Sequence, residues 1–84
     1  MKKIISNWFG LPPDLIEDLP RIEMIGQNCL RIENHRGLLG CKDTEIKMKT
    51  SSGSLVVKGE SLILNSLKID RALISGTIIN IKYE

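Results

Sequence analysis

From Arg21 onward, apolar side chains recur at every second position in short runs, and this alternation constrains the fold more than any other feature of the chain. Ile22 and Met24 alternate with Arg21 and Glu23, and Leu30 and Ile32 with Arg31 and Glu33. Ile46 and Met48 alternate with Glu45, Lys47 and Lys49, while Ile79, Ile81 and Tyr83 alternate with Asn80 and Lys82. A period of two sends successive side chains to opposite faces, so each run reads as a strand with one buried face. Leu55–Val57 and Leu62–Leu64 are continuous apolar runs, the pattern of central strands covered on both sides. Turn residues recur at Gly26–Asn28, Asn34–Gly37, Ser51–Gly53, Lys58–Glu60 and near Gly76. Connections this short leave no room for crossover helices and imply antiparallel neighbours. The expected fold is mainly β: a small antiparallel β-sandwich or roll of roughly seven to nine strands with meander connections. Ile32, Ile46, Val57, Leu64, Ile74 and Ile81 are its predicted core.

Before Arg21 the period is helical. Ile4, Ile5, Trp8 and Phe9 share one side of Met1–Gly10, with Lys2, Lys3, Ser6 and Asn7 on the other. A helix this short persists only against something, either the domain's own core or a membrane surface or partner. Leu11–Pro20 reads as a second short helix. Proline suits its first turn, Asp14, Glu17 and Asp18 favour the positive end of the helix dipole, and Pro20 ends it. Residues 1–20 are thus a helical segment and residues 21–84 a β domain, within one compact domain of 84 residues. A chain of this length hides only roughly 60–65% of its unfolded surface, so a partner is a natural supplement to its burial. Its apolar content of 42% supplies a core, and that core is aliphatic because Trp8, Phe9 and Tyr83 are the only aromatic residues. A faint internal similarity relates Gly26 and its neighbours to Gly59 and its neighbours.

Twelve basic side chains face ten acidic ones, a balance that does not suit a dedicated nucleic-acid binder. Lysines gather locally at Lys42, Lys47, Lys49 and Lys58, as a solvated strand face or, alternatively, as a weak anion-binding surface. Cys29 and Cys41 have neither the number nor the spacing of a disulfide framework, and free, half-buried thiols are expected. With His35 they match no zinc signature, so no metal or other cofactor is expected. There is a single histidine, no nucleophile elbow and no glycine-rich phosphate loop, which points away from an enzyme. No apolar run reaches the roughly 20 residues of a membrane-spanning helix.

The polar segment Glu33-Asn34-His35-Arg36-Gly37 is richer than a turn requires. Asn34 and Gly37 supply left-handed conformations, and Gly37 is expected at positive φ as a structural residue. Glu33, Asn34, His35 and Arg36 are the candidate partner-binding residues, with His35 and Arg36 exposed at the tip. A guanidinium offers a planar donor fork to a carboxylate or to main-chain carbonyls. A purely structural role for the tip stays open beside this one.

Leu11-Pro12-Pro13-Asp14 through Leu19-Pro20-Arg21, Met24-Ile25-Gly26, Ile32-Glu33-Asn34-His35-Arg36-Gly37-Leu38-Leu39, Gly53–Gly59 and Ala72–Ile78 together resemble the YabP/YqfC family of sporulation proteins. The Ile-Glu-Asn-His-Arg-Gly element points to its YqfC branch. The resemblance implies a protein made in the mother cell of an endospore-forming bacterium, cytoplasmic or peripheral to the membrane around the forespore. It further implies a partner, a membrane-anchored sporulation protein of the YqfD kind, and no catalytic activity. An adaptor or scaffold follows, with Ile4, Ile5, Trp8 and Phe9 available for membrane or partner docking and a homo-oligomer left open. The alternative is a small module binding an anionic ligand or nucleic acid through the Lys-rich face.

Overall fold

The computed structural model describes residues 19–84, and the Ile4, Ile5, Trp8, Phe9 face and the helices expected before Leu19 lie outside them. The described residues form six strands: β1 Arg21–Ile25, β2 Cys29–Glu33, β3 His35–Cys41, β4 Glu45–Thr50, β5 Gly53–Leu67 and β6 Arg71–Tyr83. They make one antiparallel sheet in the order β1-β2-β6-β5-β4-β3. The mainly β, antiparallel expectation is met. Six strands appear where seven to nine were expected, because two pairs of expected strands are continuous.

The fusion has a local cause. Lys58–Glu60 and Gly76 read as turns in the sequence, yet they lie inside β5 and β6. The register between these strands slips between Lys58 and Gly59, between Glu60 and Ile63, and between Leu64 and Ser66. These are bulges, which bend a strand and increase its twist without ending it. The first half of β5 lies against β4 and the second half of β6, whereas the first half of β6 lies against β2. Two half-sheets therefore meet along one pair of long strands. Bulging frees donors from the ladder, and these find partners: Gly59 N–H donates to the Thr44 carbonyl (3.0 Å) and Leu62 N–H to the Asp43 carbonyl (2.8 Å).

Chain connectivity requires the sheet to curl. Glu33 ends β2 and His35 begins β3, so Asn34 alone joins two strands that have β6, β5 and β4 between them. In a flat sheet they would lie about 19 Å apart, at roughly 4.8 Å per strand spacing. Two Cα steps span at most about 7.6 Å. Only a sheet rolled back on itself brings the end of β2 to the start of β3.

The concave face of that roll is the core. Leu30, Ile32, Ala72 and Ile74 from one half and Ile46, Met48, Leu55 and Val57 from the other form a single buried cluster with Leu62. The predicted core residues Ile32, Ile46, Val57 and Ile74 are fully buried, and Leu64 and Ile81 pack against the cluster. Leu55–Val57 is buried throughout, as its unbroken apolar run predicts. Val56 faces away from the cluster, opposite Lys47 and Lys82, where lysine stems can cover an apolar side chain while their ammonium groups stay wet. The same expectation fails at Ile63, which is 60% exposed, because the bulge turns it to the outer face opposite Ser75.

Gly59 is where the bend leaves least room. A Cβ there would run into the Thr77 carbonyl oxygen and lie 2.9 Å from Leu62 Cδ2. Gly59→Ala is expected to lower stability by about 1–3 kcal/mol through overpacking. Gly40→Ala is its control, since nothing lies within 4 Å of a Cβ at that position, and it should stay within about 0.5 kcal/mol of the parent. Urea unfolding midpoints measure both, and equal losses would show that the bend tolerates a side chain.

Candidate functional site

The sheet's curl converges on the corner between β2 and β3. Asn34 holds a left-handed φ of 67°, a conformation asparagine tolerates better than most residues, and so redirects the chain in a single step. Its N–H donates to the Asp70 carbonyl (2.6 Å), and its side-chain Nδ2 donates to the Leu19 carbonyl (2.9 Å). The corner is thereby tied to the β5–β6 hairpin, Lys68–Asp70, and to the residues that lead into β1. That hairpin is closed by its own bond from Lys68 N–H to the Arg71 carbonyl (2.7 Å).

His35 completes the clamp. It is 5% exposed, which corrects the expectation of an exposed recognition residue. Its Nε2 lies 2.9 Å from the Lys68 carbonyl and 3.1 Å from the Arg71 carbonyl. The Gly37 N–H donates to Nδ1 at 3.0 Å. A nitrogen that accepts from an amide carries no hydrogen, so the proton sits on Nε2 and is shared between the two carbonyls. Both ring nitrogens of the chain's only histidine are thus engaged by backbone. Gly37 lies at φ 135°, as expected, and this turns its N–H back toward the imidazole.

The expected hairpin tip is not a hairpin. β2 pairs with β6 and β3 pairs with β4, so His35–Gly37 already belong to a strand on the far edge of the sheet. The four candidate residues consequently diverge. Glu33 is half-buried and sits opposite Arg21 and Arg71, Asn34 is the corner, His35 points inward, and Arg36 is exposed. A different set comes together instead: His35, Arg36, Gly37 and Leu38 line an open cleft of about 630 Å³ with Leu67, Lys68 and Ile69. The hairpin residues were not foreseen. Their sequence signal is Ile69 itself, an apolar residue between Lys68 and Asp70 in a polar turn, and it is 93% exposed.

The lysine face is mixed in charge. Lys47 forms an ion pair with Glu84 at 3.0 Å, which raises the lysine pKa and lowers that of the carboxylate. On the opposite half of the sheet Arg31 pairs with Glu23 across β1 and β2, and the hydrogen bond holds the Glu23 carboxyl below its ordinary range. Partial burial pushes the Tyr83 phenol up. Both ion pairs are solvated and worth little in stability. Cys29 is half-buried, and Cys41, contrary to expectation, is exposed on the β3 edge. Among the described residues no three His, Cys, Asp or Glu side chains cluster as metal ligands, and no helix is long and apolar enough to cross a membrane.

The geometry separates the roles of adjacent residues. His35→Ala removes a buried ring and takes the partner from the Lys68 carbonyl and the Gly37 N–H, at about 1–3 kcal/mol for each buried group left unsatisfied, while the Arg71 carbonyl keeps its bond from Lys68 N–H. Arg36→Ala, at an exposed position, should change stability by no more than about 0.5 kcal/mol. Thermal melts of the two single variants measure the difference, and a His35→Ala protein as stable as Arg36→Ala would refute the clamp.

Residues 18–84 match the model of the YabP family. Over 83 residues the chain is 34% identical to the uncharacterized protein YqfC of Bacillus subtilis (strain 168), an alignment spanning 99% of this chain and 89% of the relative. The chain belongs to the YabP family.

Proposed function

We propose that this member of the YabP family works without catalysis, as an adaptor or scaffold for a membrane-bound assembly during sporulation. The observation that carries this reading is the use made of His35. The residue best suited to proton transfer near neutral pH has both nitrogens committed to backbone groups, so it serves the fold. Exposed apolar side chains supply what an adaptor needs. Ile69, Leu67 and Leu38 are 93%, 47% and 37% exposed around one cleft, and grouped exposure of this kind marks interaction surfaces. The likeness of the Ile32–Leu39 element to sporulation proteins supplies the process. On that basis the site of action is the mother cell, at or near the membrane around the forespore, and the partner is a membrane-anchored protein of the YqfD kind.

The rival reading is an anion-binding module using Lys42, Lys47, Lys49 and Lys58. Its lysines share their face with Glu45 and Glu84, which dilutes any phosphate-attracting field. Binding that rests on phosphate contacts falls steeply with salt. A tagged chain captured from sporulating cells should retain the membrane partner, and deleting residues 1–10 should weaken that capture while leaving the melting temperature nearly unchanged. Loss of thermal stability on deletion would make those residues part of the core. Tight, salt-sensitive binding to generic DNA in place of the membrane partner would favour the rival.

A further inference from the structure

The turn between β5 and β6 is held more firmly than a hairpin needs. Its closing bond runs from Lys68 N–H to the Arg71 carbonyl. From outside the hairpin, His35 Nε2 binds the Lys68 and Arg71 carbonyls, and the Asn34 N–H donates to the Asp70 carbonyl. The residues on both sides of Ile69 are thus fixed by another part of the chain. These bonds use main-chain groups of the hairpin, so they would permit any side chain at position 69. That side chain is nevertheless an isoleucine, and among the described residues it is the most exposed large apolar one. The fold therefore presents an apolar tip on a rigid mount.

Cations flank this tip on two sides. Arg36 and Lys68 line the open cleft together with the exposed Leu38 and Leu67. Lys68 also lines a second, smaller pocket, and there its neighbours include Arg31, Arg71 and Leu73. Asp70 is the carboxylate of the turn, 3.8 Å from Arg71. Behind the tip Glu23 pairs with Arg31, and Glu33 lies opposite Arg21 and Arg71. Arg21, Arg31, Arg36, Lys68 and Arg71 thus stand against Glu23, Glu33 and Asp70, and the surplus at this end of the sheet is positive.

We infer that the β5–β6 tip docks on an anionic lipid surface, seating Ile69 and Leu67 at the acyl boundary and Arg36, Lys68 and Arg71 among the phosphates. Lysine and arginine suit that position, because their stems lie along apolar surface while their charged ends stay in the polar layer. Basic side chains close to the surface add attraction to anionic lipid that neutral lipid lacks. A rigid turn presents its isoleucine without an ordering cost on contact. Cations on both sides of a protruding apolar residue match a broad charged surface better than a protein groove, which would meet one flank only. The His35 clamp then has a use beyond the fold, since it fixes the carbonyls around Ile69. This contact stands apart from the adaptor reading, because it needs lipid and no protein partner.

Tryptophan emission from the full chain on defined vesicles tests this. Ile69→Trp in a Trp8→Phe background places the chain's sole tryptophan at the tip. Vesicles of phosphatidylcholine mixed with phosphatidylglycerol should shift its emission to the blue, and brominated acyl chains should quench it. Pure phosphatidylcholine vesicles should give a much smaller response. In sedimentation with the mixed vesicles, Ile69→Ser with Trp8 retained should bind roughly tenfold more weakly than the parent. Arg36→Glu with Lys68→Glu should also release the chain, and both variants should melt as the parent does, since these positions are exposed. Emission unchanged by the mixed vesicles would overturn the inference even if the chain sedimented with them, because other residues would then carry the binding. An equal response to pure phosphatidylcholine would overturn it too, because the surface would not need to be anionic. Loss of a captured protein partner on Ile69→Ser, with no vesicle response from the tip, would make the occupant a protein instead.

Discussion

One residue, Asn34, has to connect strands that lie on opposite sides of the sheet, and the rest of the structure follows from that constraint. A one-residue link between β2 and β3 is possible only if the sheet rolls until its far edge returns to β2. Rolling bends β5 and β6, and bulges absorb the bend. Bulges displace backbone donors, which the Asp43 and Thr44 carbonyls then accept. Once rolled, the two half-sheets combine their inner faces into a single aliphatic core. At the seam, the imidazole of His35 binds strand β3 to the turn between β5 and β6. Polar groups here stabilise a particular topology, and the hydrophobic effect then rewards it.

The division between what was legible in the sequence and what was not follows from the range of the interactions involved. Alternation is local, so Ile32, Ile46, Val57 and Ile74 could be placed in the core from their neighbours alone. Gly26–Asn28 and Ser51–Gly53 are real turns because each sits between strands that pair directly. Lys58–Glu60 likewise combines a glycine with polar residues, yet it is a bulge. The difference lies in β6, whose length lets it pair with both halves of β5, and no local pattern reports that. The Asn34–Gly37 segment misled for the same reason. Its residues suit a hairpin tip, and only the pairing partners of β2 and β3 reveal a corner between half-sheets.

His35 illustrates how burial changes the meaning of a residue. In a polar segment, an imidazole beside a guanidinium reads as recognition chemistry. Once buried, the ring must satisfy both nitrogens, and it does so with backbone groups. The neighbouring Arg36 stays on the outside because side chains alternate along β3. The expected constellation is thus split by strand geometry, with one member in the fold and the next at the surface. Among the described residues the most exposed large apolar side chain, Ile69, lies instead in the turn between β5 and β6, outside every alternating run.

The central claim is that His35 is a neutral, doubly engaged clamp that holds the rolled sheet at its seam. Long-range nitrogen–proton correlation spectra of the imidazole at neutral pH read this directly, because the two nitrogens shift apart when only one carries hydrogen. The clamp predicts a single neutral form with the hydrogen on Nε2 and a bare, amide-accepting Nδ1. A ring with hydrogen on Nδ1, a charged imidazolium, or averaged shifts from a mixture of tautomers would contradict it.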